Sequence, residues 1–579
     1  FLFYLQAKFG LSSVWTGQIY SIFLALVYFM PLIGGWVADK WNFNKCVLSG
    51  IAVMFVGYAL MSAPTPVRAN SSLMIMLAAL LLISAGTGLF KGNLQVMVGD
   101  LYNNKQYAAS RDNAFSLFYM AINLGSMFAP GVAIALKNLS LKGAGFVTDN
   151  PMAATVSNWC LNTQGFTNMP DNAKELKNMT DFAIDKGMAE GGNLSEFLSN
   201  YLTDFAHQCQ GYMDALGAQA LNLQDFALAY NSAFSTGCTY AFALACGSLV
   251  ISFLIYILGR RTYAHIIDTK ATTVGTKTAQ VEKAPELTPE QTKQRIVALL
   301  LVFAVVIFFW MVFHQNGQAL TEFAKSCTST DSSSWTRIGF NVGALAAIAA
   351  AVYALFSIFQ SKKTSTRVIS ALIFCGLMGL VAWLYFDKTP ATLTGIDPAA
   401  YQQFNPFFVV ALTPFSMAFF SWLARKGKEP SAPRKIGYGM IKSSLAYLVM
   451  IFGSLSLVGT NGDVSSNWLI STYLLLTLAE LLLSPMGISF VSKVAPPKYK
   501  GMMMGGWFAA TAVGNYLVSI PMYLWGRIPV WTVWLILISL CALSALFIFS
   551  IMKKLEAATS DAPAEPVKDA LENVEDDAI

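Results

Sequence analysis

The sequence is poor in charged residues. Only 12% of its 579 residues are Asp, Glu, Lys or Arg, whereas 55% are hydrophobic. Soluble globular proteins carry about 25% charged residues, so this composition excludes an ordinary water-soluble domain. Histidine is also scarce, with three residues, and no group of His, Cys and Glu has the spacing of a metal site. Neither a G-x-S-x-G elbow nor a Walker loop occurs, and no other residue constellation predicts an enzyme.

Long hydrophobic runs take the place of charge. Apolar runs near twenty residues recur along the chain, and each is long enough to cross a hydrocarbon core of ~30 Å as a helix. The runs lie at 12–38, 44–63, 72–101, 112–136, 236–258, 295–325, 337–360, 366–386, 405–425, 436–459, 466–493, 500–526 and 530–552. The opening letters FLFYLQAKFG read as the tail of one more apolar helix and predict a truncated first span. The sequence therefore predicts an all-α membrane protein with about fourteen helices.

The basic residues predict the orientation of these helices. Lys and Arg cluster on every second connection between spans, which is typical of cytoplasmic loops. The clusters are Lys40/Lys45, Lys105/Arg111, Arg260/Arg261, Lys362/Lys363/Arg367, Arg425/Lys426/Lys428/Arg434/Lys435, Lys498/Lys500 and Lys553/Lys554. The net charge of +6 is explained by these loops and does not indicate a nucleic-acid partner. Both chain ends are thus predicted in the cytoplasm of a multi-pass protein of the cell membrane, which is the inner membrane in a Gram-negative bacterium.

The connections divide the chain further. Residues 137–235 are predicted to form an extracytoplasmic helical cap, because about a hundred polar residues are too many for a bare loop. Residues 259–294 are predicted as a cytoplasmic linker between two halves, and 555–579 as a disordered cytoplasmic tail. Cys160, Cys209, Cys238 and Cys327 fall on the outer side, where disulfides are permitted. Cys160–Cys209 is the preferred pair, and free thiols are the alternative.

A few ionisable residues lie inside the apolar runs, where each is costly unless it is paired or hydrated. Lys91 and Glu480 lie near the middle of spans in different halves. The two opposite charges are most simply satisfied if both side chains face one central cavity. They then form either a substrate and proton site or a structural ion pair. His314 is the one histidine within a span, and it either titrates or stays neutral and hydrogen-bonded.

Several motifs carry a resemblance to a known family. GGWVADK (34–40) resembles the cytoplasmic loop motif of the major facilitator superfamily, with Gly35, Asp39 and Lys40 as its gating residues. GTGLFKGNLQVMVGDLY (86–102) and RDNAFSLFYMAINLG (111–125) resemble the signature of the proton-dependent oligopeptide transporter family. NPFFVVALTPF (405–415) and residues 479–515 are similar to that family's second half.

The resemblance implies a fold and a function. The fold is a major-facilitator-type bundle with alternating access. Residues 1–136 and 236–258 form the first half, 295–336 and 405–554 the second, and 337–404 two extra transmembrane helices with an outer loop. The function is proton-coupled import of di- and tripeptides by a monomer, with the proton gradient as energy source and no cofactor.

The resemblance also implies roles for individual residues. Lys91 meets the peptide carboxylate or pairs with Glu480 in the empty cavity, and Glu480 holds the peptide amino terminus or a proton. Hydrogen bonds to the peptide come from Tyr28, Asn123 and Asn405, and the pocket walls from Trp310 and Trp507. Proton coupling falls to Glu480, Lys91 and His314.

The sequence departs from the family at two places that matter. His314 precedes Gln315 where the family has an acidic residue, so a gate salt bridge there is replaced by a different contact. The two extra helices follow the seventh helix instead of lying between the halves, and they and the cap are interpreted as peripheral. Three alternatives stay open: a carrier of nitrate or another anion on the same fold, a non-transporting nutrient sensor, and a channel.

Overall fold

The computed structural model describes residues 2–560 with several gaps. The gaps are 12, 103–109, 149–152, 171–175, 177, 178, 181, 185, 190, 265–286, 330, 362, 395, 397, 458–463 and 526. Most of the predicted linker 259–294 and the predicted tail from residue 561 therefore lie outside the described residues. The described part of the tail is not disordered, because residues up to Ser560 form a helix in which Leu555 is buried.

The first part of the chain is helical almost throughout. Its helices are α1 (Leu2–Phe9), α2 (Ser13–Lys40), α3 (Phe43–Ser62), α4 (Asn70–Leu101), α5 (Arg111–Gly143), α6 (Ala153–Asn162), α7 (Leu194–Gln208), α8 (Gln210–Leu216) and α9 (Leu223–Leu258). Asn222 accepts hydrogen bonds from the first backbone amides of α9 and so fixes where that helix begins.

The second part continues in the same way. Its helices are α10 (Pro289–Phe313), α11 (Ala319–Ser326), α12 (Val342–Gln360), α13 (Thr364–Trp383), α14 (Phe404–Arg425), α15 (Ala432–Ser454), α16 (Asn467–Val494), α17 (Lys500–Leu517), α18 (Ser519–Leu524), α19 (Val530–Ser550) and α20 (Met552–Ser560). A capping box between Thr288 and Gln291, with Pro289 in the first turn, starts α10. The strands Ser332–Ser333 and Thr392–Leu393 form one short antiparallel pair.

Twelve helices in the described part of the chain are long and apolar enough to cross a membrane. They confirm an all-α, multi-pass membrane protein, and twelve of the predicted runs coincide with them. The predicted run 500–526 is instead divided into α17 and the short α18. The predicted first span appears as the eight residues of α1.

Glycines allow the helices to pack closely. A Cβ at Gly50 would meet the backbone of α4, and one at Gly439 would meet the carbonyl oxygen of Ala479 on α16. A Cβ at Gly514 would meet the backbone of α10 and the side chain of Trp310. Small residues at such positions let helix backbones approach, which is the main source of packing energy between helices in a membrane.

The cap is shorter than predicted. Helix α5 continues to Gly143 and α9 begins at Leu223, so both ends of the predicted range 137–235 belong to long helices. Between them, α6 and α7 pack on α9 around a buried hydrophobic cluster. That cluster includes Phe146, Trp159, Leu198, Leu202, Phe205, Phe226 and Tyr230. The cap therefore has a core of its own, continuous with the ends of two long helices.

The predicted Cys160–Cys209 disulfide is absent from the structure. Both cysteines are free and buried in the hydrophobic cluster of the cap. Cys160 Sγ lies 3.7 Å from the carbonyl oxygen of Leu223, to which it donates. Burial raises the pKa of the Cys160 thiol to about 11 and also raises that of Cys209.

The chain divides into two compact units. One consists of Phe1–Met30, Lys45–Phe90 and Ala129–Thr262, and the other of Pro31–Asn44, Lys91–Phe128 and Tyr263–Ile579. The boundaries cut through the middle of α2, α4 and α5 and through the first turn of α3. We call the unit that contains the cap the first unit and the other the second unit. Parts of α2, α4 and α5 therefore pack with helices of the second half of the sequence, in the second unit.

Candidate functional site

Glu480 is a buried carboxylate held by neutral groups. It lies in the middle of α16 within the second unit, and it is 3% exposed. The Tyr119 hydroxyl of α5 donates a hydrogen bond to its Oε1 atom, and Asn405 Nδ2 of α14 donates to its Oε2 atom at 2.7 Å. Asn405 Nδ2 also lies 3.1 Å from Thr477 Oγ1, one turn before Glu480. Two hydrogen bonds thus compensate part of the cost of burying this charge.

Lys91 does not pair with Glu480. Its ammonium group lies 4.8 Å from the centre of the Phe508 ring on α17. Both oxygens of Glu480 are taken by Tyr119 and Asn405, and no cation in the described part of the chain forms a salt bridge with this carboxylate. The predicted ion pair of the empty cavity is therefore wrong for this structure. Which donors reach a carboxylate depends on the packing of α5, α14 and α16, which two isolated charges in a sequence do not reveal.

Asn123 supports Tyr119 from the next turn of α5. Its Nδ2 atom donates to the Tyr119 carbonyl oxygen at 3.0 Å, and its side chain is buried. The structure therefore places Asn123 beside Tyr119, and Asn405 in direct contact with the carboxylate. Tyr28 belongs to the first unit, where it is half-buried on α2.

The predicted wall residues Trp310 and Trp507 are both buried in the second unit. Trp507 is 2% exposed, and its ring packs on Gly487, where a Cβ would overlap it. Trp310 stacks on the His314 ring with centroids 4.8 Å apart and an angle of 17° between the planes. Asn515 of α17 lies beside His314, and Lys91 is near enough to act on it electrostatically.

Asp39 closes one end of the second unit. Its Oδ1 and Oδ2 atoms accept hydrogen bonds from the backbone amides of Gly501 and Met502, at 2.7 and 2.8 Å. These amides open α17, so the carboxylate lies at the positive end of the helix dipole. Gly35 packs directly on Gly501, leaving no room for a Cβ. Lys40, in contrast, lies 3.7 Å from the Trp36 ring of its own helix, so the predicted gating role of Lys40 is not supported by a contact to another helix.

Three ion pairs lie at the same end. Lys500 pairs with Asp100 at the end of α4, and both side chains are nearly buried. Lys435 Nζ of α15 lies 3.1 Å from Asp112 Oδ2 of α5 and also pairs with Glu429. The charges predicted as loop markers therefore include groups that join segments of the first half to the second.

Tyr119, Asp100 and Asp112 are functional residues that the sequence alone did not indicate. Tyr119 carries no charge and lies within a motif whose Asn123 drew attention first. Asp100 and Asp112 lie beside a basic cluster and read as ordinary helix ends. Their partners are more than 300 positions away along the chain, at Lys500 and Lys435.

Comparison with known proteins adds to this geometry. A family model described as PTR2, POT family, matches residues 44–147 and 385–530. The matched segments contain Lys91, Tyr119, Asn405 and Glu480. Over these two segments the chain is similar to the POT family. Trp310 and His314 lie between the two segments that the POT model matches.

Several known proteins align with this chain over most of its length. It is 25% identical over 515 residues to "Uncharacterized transporter YclF" of Bacillus subtilis (strain 168), covering 88% of this chain and 79% of the relative. It is 24% identical over 522 residues to "Di-/tripeptide transporter" of Lactococcus lactis subsp. cremoris, covering 88% and 80%. A solved structure described as "peptide transporter POT in complex with sulfate" is similar at 20% identity and a TM-score of 0.47, covering 96% of this chain and 90% of the other.

Proposed function

We propose that this protein imports di- and tripeptides together with protons by alternating access, within a bundle of the major-facilitator type. The proposal extends to a monomer in the cell membrane, with both termini in the cytoplasm. The proton gradient supplies the energy, and no cofactor takes part. The relatives named as di-/tripeptide transporters support the substrate class.

The environment of Glu480 carries the proposal. A carboxylate in the middle of a span is costly, and such groups mark substrate or proton pathways. This one is held by a tyrosine hydroxyl and an asparagine amide, and not by a cation. A carboxylate with neutral partners is able to take up a proton without breaking an ion pair, and it is also able to bind the amino group of a peptide.

The other polar groups of the second unit fit the rest of such a substrate. Lys91 supplies a cation for a carboxylate, and Asn405 supplies an amide that matches a peptide backbone. The buried rings of Trp310, Trp507 and Phe508 provide apolar surroundings for the side chains of a peptide, without polar groups that would select one side chain over another. A zwitterionic ligand needs both charges, which favours peptides over nitrate or another simple anion.

The test is uptake by the purified protein in proteoliposomes. We expect a proton gradient to drive accumulation of labelled alanyl-alanine, and unlabelled peptides to compete where free amino acids, nitrate and sugars do not. Glu480→Gln is expected to abolish driven accumulation while it leaves some counterflow exchange, because exchange needs no net proton movement. Glu322→Gln, an acidic residue outside the site, is the matched control.

Three outcomes would contradict the proposal. Competition by nitrate but not by peptides would assign the protein to another substrate class. The absence of any uptake by correctly inserted protein would favour a sensor. Unchanged driven uptake in Glu480→Gln would remove Glu480 from the mechanism.

A further inference from the structure

Helix α15 carries a lysine inside an apolar run. Lys442 lies six positions after the start of the predicted run 436–459, which corresponds to about 9 Å of helix. Its side chain is partly exposed, and no described residue forms a hydrogen bond or an ion pair with its ammonium group. A charged group within a span is costly unless it meets a partner or water. The described part of the chain does not supply that partner.

Lys442 shares one side of α15 with Tyr438 and Arg434. The three residues are spaced by four positions, and residues at this spacing lie above one another on a helix. Tyr438 is exposed, and its ring lies against that of Phe549 on α19 with centroids 5.7 Å apart. Lysine side chains in a span extend toward the nearer interface, which for Lys442 is the start of α15. Its ammonium group is thus expected near the hydroxyl of Tyr438.

Helix α20 adds charge at the same place. Arg434 donates to the Glu556 carboxylate through Nε and Nη2 at 2.6 and 3.2 Å, and 49% of its side chain stays exposed. Lys553 is exposed and precedes Glu556 by three positions, so it lies on the same side of α20. Arg434, Lys442 and Lys553 are three cations, and Glu556 is the one carboxylate that contacts any of them in the described part of the chain. The surface is therefore positively charged.

The neighbouring surface, further from the ends of these helices, is apolar. Ile441 and Leu445 of α15 and Leu546 of α19 are exposed. They lie toward the middle of their spans, where exposed apolar side chains contact acyl chains of the bilayer. The positively charged surface thus continues directly into a surface that lipid covers. A molecule that matches both parts carries a negative group on acyl chains.

We propose that this surface binds the headgroup of an anionic phospholipid in the leaflet at the start of α15. The groups that form the site are those of Arg434, Tyr438, Lys442 and Lys553. A phosphate accepts hydrogen bonds from hydroxyl, ammonium and guanidinium groups. Zwitterionic phospholipids bring a cation of their own, so a positively charged surface beside a span favours an anionic headgroup. The inference goes beyond the proposed transport and does not depend on it.

The experiment measures lipid binding to the detergent-solubilised, full-length chain by native mass spectrometry. Phosphatidylglycerol and phosphatidylcholine with the same acyl chains are titrated separately. We expect phosphatidylglycerol to bind at least fivefold more tightly, because one cation beside an anionic lipid contributes a factor of about five. Inorganic phosphate at the same concentrations is expected not to displace the lipid, since it lacks the acyl chains.

The variants test whether Lys442 is responsible. Lys442→Leu is expected to weaken phosphatidylglycerol binding about fivefold and to leave phosphatidylcholine binding unchanged, whereas Lys442→Arg should keep the wild-type affinities. Leucine is favourable within a span, so this variant is expected to fold. Tyr438→Phe removes one hydroxyl and should weaken phosphatidylglycerol binding about twofold. Lys186→Leu removes the same charge from an exposed position of the cap and is the matched control.

Four outcomes would overturn the inference. They are equal affinities of the wild-type protein for the two lipids, an unchanged affinity for phosphatidylglycerol in Lys442→Leu, an equal loss in Lys442→Leu and Lys186→Leu, and displacement of the lipid by inorganic phosphate. The last of these would assign the site to free phosphate. None of the measurements uses transport, so their failure would leave the proposed function standing.

Discussion

At the scale of single residues, the described site depends on how one carboxylate is kept in an apolar span. Tyr119 and Asn405 each give Glu480 one hydrogen bond, and Asn123 holds the backbone turn that carries Tyr119. Hydrogen bonds to a charged group contribute about 1.5–3 kcal/mol. The tyrosine hydroxyl is therefore as important to the state of Glu480 as the asparagine that the sequence indicated.

The coupling between Tyr119 and Glu480 gives a first prediction. Tyr119→Phe is expected to slow counterflow exchange of dipeptide about tenfold or more, because one hydrogen bond to a carboxylate of about 1.5–3 kcal/mol is lost. The effects of Tyr119→Phe and Glu480→Gln should add up to less than the sum of the two single effects, since the glutamine offers the Tyr119 hydroxyl only a neutral acceptor. Counterflow in proteoliposomes measures all three rates.

Tyr447→Phe is the control for this cycle. Tyr447 is also a tyrosine of the second unit, but its hydroxyl donates to the Val312 carbonyl oxygen at 2.6 Å and does not touch Glu480. Its effect should add to that of Glu480→Gln. Additive effects of Tyr119→Phe and Glu480→Gln would show that the hydroxyl acts on something other than this carboxylate.

The sequence identified charged site residues better than their partners. Lys91 and Glu480 stand out because ionisable groups are rare in apolar runs. Tyr119 does not, since tyrosine is common in such runs, and its contact to Glu480 spans 361 positions of the chain. The Lys91–Glu480 pair was wrong for the same reason. Sequence shows which groups need a partner, whereas packing decides which partner they have.

At the scale of helices, the cap is joined to the helix ends beneath it. Asn158 and Asn162 of α6 donate hydrogen bonds to the carbonyl oxygens of Leu11 and Gly10, which follow α1. Both also accept from the guanidinium of Arg68, which lies between α3 and α4. One helix of the cap thus holds two connections of the first unit.

These contacts give a second prediction, on stability. Arg68→Ala is expected to lower the melting temperature of the purified protein by about one to three degrees, since about 1–3 kcal/mol is lost when the buried amide of Asn158 loses a partner. Lys142→Ala, at an exposed position of α5, should leave it unchanged. Uptake at a temperature well below the transition should be kept if the cap is peripheral to transport. Lost uptake with an unchanged melting temperature would contradict the peripheral interpretation.

Helix α20 is attached through a charged contact. Glu556 accepts from Arg434 Nε at 2.6 Å and from Ser431 Oγ at 2.7 Å. The hydrogen bond from Arg434 is the largest influence, and it lowers the pKa of Glu556 below its ordinary value of 4.5. Because this pKa is lower in the folded state, the ionised Glu556 stabilises the attachment of α20 fully above pH 4.5. This stabilisation is lost as the pH falls through the lowered pKa.

A third prediction follows for the attachment of α20. Hydrogen exchange of residues 552–560 is expected to be slow and constant from pH 7 down to about pH 5, after correction for intrinsic rates, and to increase below pH 4.5. Glu556→Gln should remove this dependence, because the amide does not titrate. An identical pH dependence in Glu556→Gln would show that another group holds the helix.

Helix positions were predictable, but their ends and interruptions were less so. The apolar runs predicted twelve spans correctly, because the length and the hydropathy of a helix decide whether it is able to cross a membrane. The run 500–526 looked continuous, yet it is divided between α17 and α18. The cap boundary was misplaced because α5 and α9 continue beyond the apolar region through Ser140, Lys142 and Asp225, which read as loop residues.

At the scale of the whole chain, three aspartates join the two sequence halves at one end of the second unit. Asp39 binds the first amides of α17, Asp100 pairs with Lys500, and Asp112 pairs with Lys435. Asp112 Oδ1 also accepts from Ser489 Oγ at 2.6 Å. Alternating access requires such contacts to form in one state and break in another. In this structure these contacts hold the segments at this end of the second unit together.

The last prediction concerns the balance between such states. Asp100→Asn with Asp112→Asn removes both ion pairs and is expected to favour the state that is open at this end. A cysteine at Ser492, which is buried and packs on Gly99, reports the opening in a protein whose eight native cysteines are replaced. Its labelling by a water-soluble maleimide should become about tenfold faster or more, which corresponds to about 1.4 kcal/mol of shifted equilibrium. Asp387→Asn, at an exposed position, is the matched control. Unchanged labelling in the double variant would mean that the backbone contacts of Asp39 close this end without the ion pairs.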